Sequence, residues 1–217
     1  MSNCTFISKP LEIENKSFEI ISQLLKGKNI PPLHEPVIKR VIHATADLDY
    51  ADNLKFSENA VEKGLQALIS GCGIVTDTRM AEVGINKKAL YRLGAHITCF
   101  MDDEEVAKEA VQRGTTRAAV SMEKASTADP KNKIFVIGNA PTALIRLYEL
   151  ICESTVKPEL VIGVPVGFVN VIESKELFKQ CNTPYIISEG RKGGSNVAAA
   201  IVNALMYMAL KEEEHNE

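Results

Sequence analysis

The chain has 217 residues, 45% hydrophobic and 24% charged, with no tryptophan, which is enough to bury a substantial core. Its formal net charge of −3 and pI near 5.9 argue against the basic face of a general nucleic-acid binder, so an anionic ligand has to be met by local cations and backbone amides. No apolar run reaches the roughly 18 residues of a membrane span, and the start Met1–Lys9 lacks the basic opening and long apolar stretch of a signal peptide; a cytoplasmic protein with no membrane or nucleic-acid partner is expected.

Residues 11–27 have helical character, with Leu11, Ile13, Phe18, Ile20, Ile21, Leu24 and Leu25 closed by Gly27. A second helix starts after Pro31-Pro32 and carries Val37, Ile38, Val41 and Ile42, the i, i+1, i+4, i+5 spacing of one buried stripe. His43 falls beside that stripe, near the helix end. Asn59–Ser70 is another amphipathic helix, stopped by Gly71-Cys72-Gly73.

From there short apolar, partly β-branched runs alternate with helical segments. Ile74–Thr76 precedes a helix from about Arg79. Ile97–Phe100 precedes Glu104–Arg113, and Arg117 opens a further helix. Ile134–Ile137 precedes Thr142–Cys152, Leu160–Ile162 precedes Ser174–Cys181, and Tyr185–Ile187 precedes Ser195–Leu210. This alternation predicts an α/β fold with a mostly parallel β-sheet covered by helices on both faces, three α/β/α layers in all, and extra N-terminal helices. Residues 1–217 read as a single domain, with the acidic tail after about residue 210 a solvated helix end open to disorder. The five cysteines (4, 72, 99, 152 and 181) are scattered, never in a C-x-x-C pair; four sit within or beside apolar segments and read as reduced core thiols, not as zinc ligands or a disulfide framework.

In open α/β sheets, ligands sit where the loops gather at the carboxyl ends of the strands. Three such loops are unusual here. In Gly138-Asn139-Ala140-Pro141-Thr142, Pro141 suits the first helical position and Asn139 or Thr142 can cap, leaving amides free for an anion. Gly163-Val-Pro165-Val-Gly167-Phe-Val-Asn170, followed by Glu173-Ser174-Lys175, brings shaped backbone close to whatever binds. Glu189-Gly-Arg191-Lys192-Gly193-Gly194-Ser195 combines two cations, glycines and a serine at a helix start, a plausible anion cradle. Neither a Walker A loop nor a Gly-x-Gly-x-x-Gly dinucleotide fingerprint is present. Arg117 can take a carboxylate in bidentate fashion, or serve in a surface salt bridge.

His43, in Arg40-Val-Ile-His43-Ala-Thr-Ala-Asp47, is either a packed helix-end histidine or a proton donor working near neutrality. His34, His96 and His215 are spaced unlike metal ligands, and no metal site is expected. Neither a Gly-x-Ser-x-Gly elbow nor a hydrolytic carboxylate pair appears. Proton-assisted chemistry on a bound anion is what survives.

Taken together, Ser17, Arg40-Val-Ile-His43-Ala, Gly138-Asn-Ala-Pro-Thr-Ala-Leu144, Gly163-Val-Pro-Val-Gly-Phe-Val169 with Glu173-Ser-Lys175, and Gly190-Arg-Lys-Gly-Gly-Ser195 resemble the precorrin-8X methylmutase family, including its cobalt-precorrin-8 relatives. The resemblance runs from about residue 7 to 210. It implies an α/β isomerase of cobalamin biosynthesis that moves a methyl group from C-11 to C-12 of a corrin-like macrocycle. It also implies a homodimer with the tetrapyrrole near the subunit interface. His43 matches the family's catalytic histidine, and Ser17 and Arg40 match positions associated with substrate. Arg117, Asn139, Thr142, Gly167, Arg191, Lys192, Gly193, Gly194 and Ser195 are the further expected substrate contacts. The apolar stripe beside His43 would offer a face for the flat ring. No cofactor is implied, and any cobalt arrives with the substrate. Ser188-Glu189 departs from the family's commoner, more basic pair. A non-catalytic tetrapyrrole carrier on the same scaffold is the alternative, and a phosphate-using enzyme is a third, disfavoured by the missing fingerprints.

Overall fold

The computed structural model describes residues 7–216, without the side chains of Asn132, His215 and Asn216. Three helices lead, α1 (Pro10–Leu24), α2 (Glu35–Thr45) and α3 (Tyr50–Asn53), followed by strand β1 (Leu54–Phe56) and α4 (Ala60–Ile69). Then come β2 (Gly73–Thr76), α5 (Arg79–Gly84), α6 (Lys87–Arg92), β3 (His96–Thr98), α7 (Glu104–Arg113), α8 (Arg117–Ala128) and β4 (Asn132–Ile137). The chain ends with α9 (Pro141–Cys152), β5 (Leu160–Gly163), α10 (Val171–Phe178), β6 (Tyr185–Ser188) and α11 (Ser195–Asn216).

The strands form one sheet in the order β1-β6-β5-β4-β2-β3. β2 to β6 are parallel, as the strand–helix alternation predicts, and β1 pairs antiparallel with β6 through Leu54↔Ser188 and Phe56↔Ile186. The sequence reading contains no β1. Three residues after a single helical turn are too few to show a period, and the strand exists because β6 offers an edge to pair with.

Alternate residues of the strands point to opposite layers. Ile74, Ile134, Val136, Leu160, Ile162 and Ile186 pack with α2, α4, α5, α6 and α11, whereas Val75, Phe135, Ile137, Val161 and Ile187 pack with α8, α9 and α10. This is the expected three-layer arrangement. Helix α11 keeps a run of buried residues from Val197 to Leu210 because it lies over the sheet and under α2 and α4. Past Leu210 it stays helical but is largely exposed, the solvated helix end expected of the acidic tail.

Two expectations need correction. Val37, Ile38, Val41 and Ile42 are all buried in the core, at most 3% exposed, so that stripe cannot also present a face to a ligand. Of the cysteines, Cys72 and Cys99 are buried free thiols, but Cys152 is exposed; Cys4 lies outside the described residues. No helix is long and apolar enough to cross a membrane among the described residues.

Candidate functional site

The chain leaves β2 toward β3 on one side, and the later strands β4, β5 and β6 build out on the other. The switch point therefore lies between β2 and β4, with crevice loops at their carboxyl ends. Asp77, directly after β2, is fully buried there. Its carboxylate accepts the backbone N–H groups of Gly138, Asn139 and Ala140 at 2.7, 2.9 and 2.7 Å. Burial pushes the Asp77 carboxyl above the usual carboxylate range, against the pull of those three amides. The amides expected to be free for an outside anion are thus already occupied by an internal one. Sequence reasoning missed Asp77, although a carboxylate directly after a short β-branched run is itself a signal of a buried acceptor.

Around this lock the loops are stitched together by hydroxyls. Thr116 caps α8 and donates to Thr142 Oγ1 at 2.8 Å, setting the start of α8, and hence Arg117, against the β4–α9 turn. Thr78 caps α5 and shares a 2.7 Å hydrogen bond with Ser195 at the start of α11. Gly138 is required at this crossing: a Cβ there would stand 2.9 Å from Ser195 Cα.

The glycine loop between β6 and α11 is held from three sides. Gly194 N–H donates to Val164 O at 2.9 Å and Gly167 N–H donates to Arg191 O at 3.3 Å, fastening it to the β5–α10 loop. A Cβ on Gly193 would lie 2.7 Å from the Pro165 oxygen and nearer still to that of Val164, so this glycine serves close backbone packing. Lys192 Nζ binds Asp47 at 2.7 Å and Asp49 at 2.6 Å, in the segment following α2. The charge of Lys192, expected to meet an anion, is thus spent internally. Ser188, in the pair that departs from the family pattern, donates to Lys192 O at 2.8 Å, while Glu189 pairs with Lys179 at 3.0 Å and Lys55 at 3.6 Å.

Arg191 and Arg117 stand apart. The chain has seven arginines; Arg40, Arg79, Arg92, Arg113 and Arg146 are in ion pairs, and the exposed Arg117 and Arg191 have no such partner among the described residues. Arg117 opens α8 beside the β4–α9 turn and Arg191 sits on the β6–α11 loop. A bare guanidinium in such a place is a receptor for carboxylate.

His43 occupies the last turn of α2, exposed, its imidazole stacked on Phe18 of α1 with centroids 5.1 Å apart and planes 21° apart. Neither ring nitrogen has a hydrogen-bond partner among the described residues. Arg40, one turn earlier, places its guanidinium between Phe18 (4.7 Å) and Tyr207 (5.1 Å) and binds Glu14 at 2.7 Å. Phe18 thus joins His43 to Arg40. Ser17, its neighbour on α1, is half-buried, its hydroxyl without a hydrogen bond among the described residues. A groove of about 940 Å³ runs past Phe18, Arg40, Lys39, Arg92 and Tyr207, and His43 does not line it. Among the described residues no group of three His, Cys, Asp or Glu stands ready to hold a metal ion.

The fold is a doubly wound α/β sheet, with an exposed imidazole on α2 and two exposed guanidinium groups that have no ion-pair partner among the described residues, chemistry suited to an anionic organic ligand. The comparisons give the family. Residues 12–208 match the family described as precorrin-8X methylmutase. The cobalt-precorrin-8 methylmutase of Salmonella typhimurium is 47% identical over 207 residues, covering 93% of this chain and 97% of that protein. The precorrin-8X methylmutase of Pseudomonas aeruginosa is 39% identical over 195 residues, covering 89% and 93%. The crystal structure of precorrin-8X methylmutase from Thermus thermophilus superposes with a TM-score of 0.87 at 38% identity, covering 93% of this chain and 97% of that one. The chain belongs to the precorrin-8X methylmutase family, and with it to the methylmutases, isomerases that move a methyl group within one molecule.

Proposed function

We propose that this protein moves a methyl group from C-11 to C-12 of precorrin-8 or cobalt-precorrin-8, giving hydrogenobyrinate or cobyrinate in cobalamin biosynthesis, with His43 as the proton donor. The observation that carries the residue-level reading is the His43 imidazole, held on Phe18 with both nitrogens unengaged. A packed histidine would have its nitrogens satisfied inside the fold. This one is oriented by its ring face and leaves its polar edge to a ligand.

The reaction is a 1,5-sigmatropic shift: the C-11 methyl bond breaks as the C-12 methyl bond forms, inside one molecule. Reactant and product are isomers, so a proton lent to the macrocycle is returned. A proton delivered to a ring nitrogen or a nearby carbon polarises the conjugated system, and such positioned acid catalysis contributes about 10²–10⁴-fold. The protein's other task is to hold the ring in one orientation. Arg117 and Arg191 suit the peripheral carboxylates, with Ser17, Asn139, Thr142, Gly167, Gly193, Gly194 and Ser195 shaping the surrounding surface. Lys192 acts through its grip on Asp47, and Arg40 by holding Phe18 under the imidazole. Any cobalt enters as part of the substrate.

A homodimer belongs to the same reading. On α1, Leu11, Ile13, Ile20 and Leu24 are 45–69% exposed beside the Phe18–His43 stack, and a second copy covering them would enclose the site. Sedimentation should give twice the chain mass; a monomer at working concentration would remove the dimer from the account. The decisive assay incubates the protein with precorrin-8 in metal-free and cobalt forms while the visible spectrum is followed. Conversion of one or both supports the assignment, and conversion of neither sinks it. A carrier would bind the ring without changing it.

A further inference from the structure

We infer that Lys175 is the positioning residue of the Gly190–Ser195 loop: its buried ammonium turns the carbonyls around Arg191 inward, so that the loop presents donors alone to a substrate carboxylate. The inference rests on the proposal that this loop takes such a carboxylate.

Lys175 lies on α10 and is 1% exposed. It has no carboxylate partner among the described residues. Its Nζ donates to Gly190 O at 2.8 Å, Lys192 O at 2.8 Å and Ser188 Oγ at 3.3 Å, using the three donors an ammonium has. Between the two clamped carbonyls, that of Arg191 accepts the Gly167 N–H, and Ser188 adds a second hydrogen bond to Lys192 O. Three consecutive carbonyls, residues 190 to 192, are therefore committed to internal donors. The amides of the same three residues donate to no acceptor among the described residues.

That division has an electrostatic consequence. A carbonyl oxygen turned toward a carboxylate repels it, whereas an N–H or a guanidinium attracts it. A lone ammonium is costly to bury, and a neutral donor would suffice merely to close a turn. The cation adds what a hydroxyl cannot: it gathers two carbonyls at one point and leaves positive charge directly behind the anion-facing surface. With the backbone fixed on both sides of Arg191, the guanidinium leaves the loop in a set direction.

The test is steady-state kinetics on the corrinoid substrate with the native protein, Lys175→Met, Arg191→Ala and the double variant. Lys175→Met is expected to raise KM about tenfold, more than it lowers kcat, as for loss of one charge-assisted contact. In the Arg191→Ala background that effect should largely vanish, because there is no longer a guanidinium to aim. An unchanged KM in Lys175→Met, or the same rise with Arg191 already removed, would overturn the inference while native turnover leaves the methylmutase reading standing. A native protein that neither binds nor converts the macrocycle removes both. Should Lys175→Met not fold, Ser188→Ala takes one donor from the same carbonyl and is read identically, with a smaller rise in KM expected and no rise contradicting the inference.

Discussion

Lys192 Nζ lies 2.7 Å from the carboxylate of Asp47, a contact spanning 145 residues of sequence. Asp47 follows the last turn of α2, where His43 sits, and Lys192 belongs to the glycine loop that carries Arg191. The pair therefore ties the helix of the proposed proton donor to the loop proposed to bind a carboxylate, and Asp49 doubles the tie at 2.6 Å.

Breaking this tie should cost function more than stability. Both partners are partly solvated, and exposed ion pairs contribute little to folding. Asp47→Ala and Lys192→Ala are expected to leave Tm nearly unchanged and lower turnover several-fold, with the double variant no worse than either alone. Lys192's hydrogen bond holds the Asp47 carboxyl below the usual range. The tie is therefore complete above the ordinary carboxylate pKa and is lost only as pH falls through the depressed value. Turnover that follows the pH profile of native protein in Asp47→Ala down into acid would show that the tie does not matter.

Asp77→Ala should be far more damaging to the fold. It strands the buried amide of Gly138 and the part-buried amides of Asn139 and Ala140 at the β4–α9 turn, and losing three bonds to one carboxylate costs about 3 kcal/mol or more. Urea unfolding checks this; a loss below about 1 kcal/mol, within the range of ordinary surface substitutions, would mean that water replaces the carboxylate freely.

Lys175 gives a pH signature in the other direction. Burial pushes its ammonium down to about 8, from 10.5. Below pH 8 both folded and unfolded chains hold the proton, and the folded state bears the full cost of the buried charge. Between about 8 and 10.5 the unfolded chain binds more protons, so this residue's contribution to stability rises with pH, by roughly 3 kcal/mol over the window. Subtracting the same titration of Lys175→Met should isolate that rise. Parallel curves for the two proteins would refute it.

Arg117→Ala and Arg191→Ala each remove an unpaired guanidinium and no ion pair of the fold. Each is expected to raise KM about tenfold at low salt, with a smaller effect on kcat, because charge-assisted contacts of this kind act mainly on binding. Added salt should narrow the gap between variant and native protein. Unchanged KM in both variants would move the carboxylate contacts elsewhere.

The parallel sheet was legible because wholly buried strands such as Ile134–Ile137 read as continuous apolar runs between helical periods. His43, Arg117 and Arg191 were legible as candidate site residues at a helix end, a helix start and a loop. What stayed hidden was which polar groups the fold keeps for itself. Nothing in Gly138-Asn-Ala-Pro says that Asp77, 61 residues earlier, fills its amides. Nothing in Gly190–Ser195 says that Lys192 turns to Asp47 while Arg191 stays unpaired. The buried stripe of α2 shows the same limit: its period marks one apolar face, but only the packed α11 shows that the core takes it.

The most direct test of the account is a His43→Ala variant assayed for both binding and conversion of the macrocycle. The imidazole makes no hydrogen bond among the described residues and rests on Phe18, so its removal should leave Tm and corrinoid binding close to native. Turnover should fall by about 10²-fold or more, the contribution of a positioned acid. A variant that still moves the methyl group at a rate near that of the native protein would contradict the central claim.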